Sequence, residues 1–248
     1  MTVSLPPGFT ADSPEASATK RLRPRDAATL IVLDRSGGKP KVLMGKRHEN
    51  HRFMPGKFVF PGGRMDAADR HILPASGFHP VVEEKLMDRM LGRVSPGKAR
   101  GLGLAAIREL YEETGLLVGD VADSLPKSND ASWHDFLTHG VAPSLDGFMF
   151  VARAITPPRR PRRFDTRFFA VDSGRIAKRT DFAEDESNEL LEINWLTFDE
   201  ARSIDIPNIT RTVLDHLEQR LGTRDPFSPD HQVPFFHMRR RHFVREEL

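Results

Sequence analysis

The chain has 248 residues and 38% hydrophobic side chains, enough for a sizeable core in one large domain. Its 37 Lys and Arg nearly balance 35 Asp and Glu, and a formal charge of +2 gives no sign of general nucleic-acid binding, although basic runs stand at 20–25, 159–163 and 239–241. Cysteine is absent, which excludes disulfides, thiolate zinc sites and a cysteine nucleophile; no stretch approaches membrane-spanning length, so a soluble cytoplasmic protein is the default expectation.

Residues 1–20, rich in Pro, Ser, Thr and Ala, read as a mobile arm, and 21–248 as a single domain. The β-rich runs AATLIVLDR (27–35) and KVLMGKR (41–47) flank Gly37 and Gly38, a hairpin signal. KFVF (57–60) reads as a short third strand ending at Pro61-Gly62-Gly63. The pattern then loosens. Residues 70–100 carry Pro74, Gly77, Pro80, Pro96 and Gly97 around one helical stretch at 81–92, and read as an insertion expected to cover one side of a substrate cleft. A helix at about 99–114 follows, with Gly103, Leu104, Ile107, Leu110, Tyr111 and Thr114 as its core face. Further helices are expected at 130–140, 198–203 and 206–221, and strands at 147–156, 166–172 and 189–197; FFHMRRRHFVREEL closes the chain as a tail. Strands and helices mix without regular β-α-β alternation, which favours an α+β or helix-sheet-helix sandwich over a doubly wound fold.

Within the 99–114 helix the stretch RELYEETG (108–115) places Glu109, Glu112 and Glu113 on a narrow face. Glu109 and Glu113 stand at i,i+4, where like charges cost about 0.2–0.5 kcal/mol, and the negative end of the helix dipole adds to the repulsion. Arg108, four residues before Glu112, can relieve part of it. A divalent cation with oxygen ligands would relieve all three, and such hard ions favour Mg²⁺ or Mn²⁺ over zinc here, with His48 and His51 set aside as ligands. A glycine turn at Gly62-Gly63 lets a backbone carbonyl approach such an ion or a substrate. Arg47 and Arg52 are suited to phosphate through forked, charge-assisted bonds. Read without further context, three such glutamates are a solvated helix face, and the two arginines are surface residues beside a strand.

The order R108-E109-L110-x-E112-E113-x-G115-L116 resembles the second half of the Nudix box, G-x5-E-x7-R-E-U-x-E-E-x-G-U, where U is aliphatic. Gly63 and Asp69 supply the first half, with Asp in place of the usual Glu and about thirty residues intervening. The upstream segment L43-M-G-K-R47-H-x3-R52-x3-G56-x3-F60-P61-G62-G63 is similar to the signature preceding the box in coenzyme A-cleaving members, with Gly45 and His48 replacing Thr and Ser/Ala. FDTRFFAV (164–171) also looks like a segment of the interrupted-box group, which includes a peroxisomal coenzyme A diphosphatase.

The resemblance implies a Nudix-type α/β/α sandwich with a mixed sheet and an insertion within the box. It implies metal-dependent cleavage of a nucleoside diphosphate linked to another moiety, foremost coenzyme A or an acyl-CoA, giving 3′,5′-ADP and 4′-phosphopantetheine or its acyl form. Glu109, Glu112, Glu113, Gly63 and Asp69 are then expected to hold Mg²⁺ or Mn²⁺, with Arg108 orienting the carboxylates and Glu189 as an auxiliary ligand or base. Glu186 and Glu192, on the same acidic segment, approach the site only if that loop folds over it. Arg47, Arg52, Gly62 and Gly63 are expected to contact substrate. ADP-ribose, NADH or another nucleotide diphosphate is the alternative substrate, and a non-catalytic nucleotide sensor the alternative class. The expected partner is a small nucleotide in preference to nucleic acid, with no membrane; RNA-end processing, with the basic runs as its only support, is a further option, and the oligomeric state is open to a homodimer.

Overall fold

The computed structural model describes residues 22–48, 55–181, 189–240 and 242–248. The 1–20 arm, His51, Arg52 and Glu186 lie outside the described residues. In chain order the strands are β1 (Arg25–Asp34), β2 (Lys41–Arg47), β3 (Phe58–Val59), β4 (Gly62–Arg64), β5 (Leu116–Val121), β6 (Val141–Pro143), β7 (Met149–Ile155), β8 (Phe164–Asp172), β9 (Ile176–Arg179), β10 (Leu190–Thr197), β11 (Pro234–Arg239) and β12 (His242–Glu247). The α-helices are α1 (Pro80–Met87), α2 (Pro96–Thr114), α3 (Ala131–Thr138), α4 (Phe198–Ser203) and α5 (Asn208–Leu221).

The main sheet runs β10-β2-β1-β8-β7-β11-β12, with β3 added to β2 and β4 to β1. It is mixed: β1 pairs with β8 and β7 with β11 in parallel, the other pairs being antiparallel. Alternation along β1 sends Leu30 and Val32 to one layer and Ile31 and Leu33 to the other, all fully buried, so this strand is covered on both faces. On the first face lies α2, through Leu104, Ile107 and Leu110; on the second lie α4 and α5, through Ala201, Val213, Leu214 and Leu217. The result is an α+β sandwich with a mixed central sheet. A second antiparallel sheet, β6-β5-β9, extends from the end of α2. No helix among the described residues is long and apolar enough to cross a membrane.

Local chemistry explains several boundaries. Helix α2 starts three residues before its expected origin because Ser95 caps it, accepting from the Lys98 amide, and Pro96 occupies the first turn. It stops at Gly115, whose φ of 69° is left-handed and whose amide donates to the Tyr111 carbonyl. Helix α1 is shorter than the expected 81–92, because Asp88 is extended and Arg89 turns to φ 49°.

Two expectations are corrected. The C-terminal tail is the antiparallel hairpin β11–β12, with Phe235 and Phe236 buried. The 70–100 segment buries Ile72, Phe78, Val82, Leu86 and Met90 in the α2-side core instead of covering a cleft. Phe78 stacks on Phe169 at 5.4 Å between ring centroids, and a Cβ at Gly103 would come within 2.4 Å of it, so the glycine in α2 makes room for the segment.

Candidate active site

Helix α2 carries its acids to the sheet edge where β4 pairs with β1. Glu113 is not on a solvated face: it is 5% exposed and accepts from the Gly62 amide at 2.9 Å. Its Oε1 is buried without a hydrogen-bond partner among the described residues. Gly62 lies at φ 155°, and a Cβ there would meet the Ala28 carbonyl oxygen at 2.5 Å. Only glycine brings this amide so close. At Gly63 a Cβ would meet Glu109 Oε2 at 2.3 Å, so the second glycine lets the Glu109 carboxylate lie against the strand backbone.

Arg108 organises the acids. Its Nη1 donates to Glu109 Oε1 at 2.9 Å and Glu112 Oε2 at 3.0 Å, while Nε and Nη2 donate to Asp69 Oδ1 and Oδ2 at 2.9 and 3.1 Å. Nη2 also donates to the Arg64 carbonyl at 3.0 Å, fixing the helix to β4. Burial opposes the arginine's charge, but Asp69, then Glu109 and Glu112, outweigh it and hold its pKa above the ordinary value.

Asp69 departs from its expected place as a metal ligand. Its side chain is fully buried, and besides Arg108 it accepts from Trp133 Nε1 at 2.9 Å and the Asp66 amide at 2.7 Å. Four donors engage both oxygens, and the carboxylate serves to position Arg108. Asp suits this place because the short 3₁₀ turn Ala68–Arg70 already brings the residue against α2.

Electrostatics distinguish the glutamates. Burial pushes Glu109 up to about 7, with repulsion from Glu112 and Glu189 adding to it and Arg108 opposing. Glu113 is pushed well above the ordinary carboxylate range by burial, then by Glu189 and Glu109, against the Gly62 amide and Arg47. Glu189 therefore stands near both acids, and it ion-pairs with Arg47, which is 9% exposed. Among the described residues no three His, Asp or Glu side chains already converge in metal-ligating geometry. The donor set nevertheless fits a hard divalent cation: of the three helix carboxylates, burial raises the pKa of Glu109 and Glu113, Glu113 also keeps an orphaned buried oxygen, and a positive charge would relieve both.

This acidic corner opens on a cleft of about 1480 Å³ lined by Thr29, Arg47, Phe60, Gly62, Gly63 and Glu109 at that end. No residue of 70–100 lines it. The far wall carries Arg23, Arg25, Arg160 and Arg162. Neither this wall nor Trp133 follows from the sequence motifs. The run at 159–163 was a visible signal for the wall, whereas Trp133 is 64 residues from Asp69 and no spacing betrays it. Gly45, a departure from the upstream signature, is accounted for by packing, since a Cβ there would meet Leu190 Cδ1 at 2.4 Å.

No family model matches the chain. A Caenorhabditis elegans protein provisionally named nudix hydrolase 7 is 28% identical over 190 residues, covering 69% of this chain and 51% of its own. The chain thus spans about half the length of that relative. The crystal structure of a NUDIX hydrolase from Alicyclobacillus acidocaldarius superposes with a TM-score of 0.58 and 25% identity, covering 78% of this chain and 90% of that one. These likenesses support the Nudix hydrolase superfamily, and the sandwich is the Nudix fold.

Proposed function

We propose that the chain is a divalent-metal-dependent hydrolase of the diphosphate bond in a nucleoside diphosphate linked to another moiety, with coenzyme A or an acyl-CoA as the substrate. The observation that carries the reading is the grouping of three acids of α2 beside the cleft: Arg108 bonds Glu109 and Glu112, Glu113 accepts from the Gly62 amide, and Glu109, against Gly63, lines the cleft itself.

Glu109, Glu112 and Glu113 are the side chains that hold Mg²⁺ or Mn²⁺ in this reading, with the Gly63 backbone beside them. The ion, when bound, supplies neutralisation of the diphosphate's charge and acidification of a water. Asp69 and Trp133 keep Arg108 in place, and Arg108 keeps Glu109 and Glu112 at a fixed separation. Glu189, next to Glu109 and Glu113 but not tied to Arg108, is suited to take a proton from the attacking water, with Arg47 holding its carboxylate. Hydrolysis of coenzyme A then yields 3′,5′-ADP and 4′-phosphopantetheine. The similarity of segment 43–63 to the coenzyme A signature supports this substrate over ADP-ribose or NADH.

The test is a hydrolysis panel with Mg²⁺ or Mn²⁺: coenzyme A, dephospho-CoA, acyl-CoAs, ADP-ribose and NADH, with products identified by mass. Fastest turnover of a coenzyme A species supports the substrate. Faster turnover of ADP-ribose or NADH overturns it and leaves the diphosphatase reading standing.

A further inference from the structure

The charges lining the cleft are unevenly paired. Its acids each have a cationic partner: Asp66 with Arg64, Asp205 with Lys57, Glu189 with Arg47, and Glu109 with Arg108. Arg23, Arg25, Arg160 and Arg162 are exposed and make no side-chain hydrogen bond or ion pair with the described residues, so the unneutralised positive charge lies on one wall.

That wall is built. The loop joining β7 to β8 is closed by the Thr156 amide on the Phe164 carbonyl at 2.9 Å and by the Phe164 amide on Thr156 Oγ1 at 3.0 Å. Arg163 ties it to the chain before β1, donating to the Leu22 carbonyl at 2.7 Å, and the Arg25 amide returns a bond to the Arg163 carbonyl at 2.9 Å. Pro157, Pro158 and Pro161 restrict the loop further. Arg159, in the same run, has a φ of 70° and does not line the cleft.

The sheet register sets the spacing. Ala28 lies opposite Gly63, and Arg25 is three residues earlier on the same strand, about 10 Å away at the usual rise. Val59, Phe60 and Phe168 give the cleft an apolar lining suited to a nucleobase. We propose that Arg23, Arg25, Arg160 and Arg162 bind a second phosphate of the substrate, one carried on the nucleoside at a distance from the scissile diphosphate. The assignment rests on the proposed nucleotide substrate and moves recognition of the extra phosphate away from Arg47, which is ion-paired with Glu189. Arginine forks suit a dianionic phosphate, and unpartnered ones give up no protein contact on binding it.

The experiment is titration calorimetry of the full chain with adenosine 3′,5′-bisphosphate and with 5′-AMP, neither of which has a diphosphate to cleave. The wild type is expected to bind the bisphosphate at least about tenfold more tightly, with the preference shrinking as salt is raised. The Arg25→Gln/Arg160→Gln/Arg162→Gln variant is expected to lose most of that preference while keeping its affinity for 5′-AMP, and Arg159→Gly to retain it. Arg160→Gln alone, at an exposed loop position, reports the same effect at smaller size should the triple variant not fold. Equal wild-type affinities, or a preference untouched by these substitutions, would overturn the proposal even if the enzyme hydrolyses diphosphates. Tighter binding of a single-stranded oligonucleotide than of the bisphosphate, lost in the same variants, would also overturn it. Absence of hydrolysis with the bisphosphate preference intact would instead count against the catalytic reading alone.

Discussion

Arg108 grips Asp69 with two parallel bonds, Nε to Oδ1 at 2.9 Å and Nη2 to Oδ2 at 3.1 Å, and the same guanidinium reaches Glu109 and Glu112 with its remaining nitrogen. A buried carboxylate outside the acidic corner therefore sets the position of two carboxylates within it. Asp69→Ala leaves Arg108 half-compensated and Trp133 without an acceptor. It should cost about 3–5 kcal/mol in urea unfolding, as for other broken buried pairs, whereas Glu112→Ala, at a more exposed side chain, should cost far less. Similar losses from both would show that Asp69 is not a keystone of the cluster.

The raised Glu109 pKa makes the metal-free protein sensitive to pH. A carboxyl at about 7 in the folded state, against an ordinary 4.5, keeps a proton that the unfolded chain has released, so its contribution to stability is present below 4.5 and lost as pH rises through 7. Glu113 shifts in the same direction. In EDTA, unfolding free energy should fall from pH 5.5 to 7.5 more steeply in the wild type than in Glu109→Gln. Both proteins carry His216, which burial lowers to about 4 and whose opposite contribution cancels in the comparison. Parallel profiles would contradict the assignment. Added Mg²⁺ or Mn²⁺ should raise the wild-type Tm most at the alkaline end.

Gly63→Ala tests the close approach of Glu109 to β4. The new Cβ meets the end of a flexible side chain, so Glu109 can swing aside and the fold should survive with a loss near 1 kcal/mol, while turnover falls at least about tenfold. Full activity with an unchanged Tm would mean that the contact has no bearing on catalysis.

The 70–100 segment should behave as core. Phe78→Ala is expected to destabilise by about 3–5 kcal/mol, and replacing the segment with a Gly/Ser linker should prevent folding, because it removes six buried side chains, Ala99 of α2 among them, from the α2-side cluster. A linker variant that folds normally and changes only substrate choice would restore the cleft-covering expectation.

These contrasts show what the sequence discloses. The acidic cluster was legible because Arg108, Glu109, Glu112 and Glu113 lie within six residues, where helical periodicity alone decides which side chains meet. Strands β1 and β2 were legible because unbroken apolar runs bracket a glycine turn. The segment containing Phe78 was misread because prolines and glycines dominate its local pattern, while its burial depends on a glycine in α2 and rings from β8. The hairpin β11–β12 was missed for a related reason: its arginines suggest a solvated tail, and its pairing with β7 joins Phe235 to Arg153, a contact no local spacing encodes. Trp133 and the arginine wall belong with these, since each acquires meaning only from a distant partner or its absence.

Glu112 and Glu113 are proposed to hold the ion that makes a diphosphate cleavable, and the decisive measurement is single-turnover hydrolysis of coenzyme A at saturating Mn²⁺ or Mg²⁺. Glu112→Gln and Glu113→Gln each replace a carboxylate available to a cation by a neutral amide with little change in shape. Both variants should lose turnover by orders of magnitude while their metal-free Tm stays close to that of the wild type, since burial already favours the neutral form of Glu113 and the Glu112 side chain is 33% exposed. Near wild-type formation of 3′,5′-ADP by either variant would contradict that role.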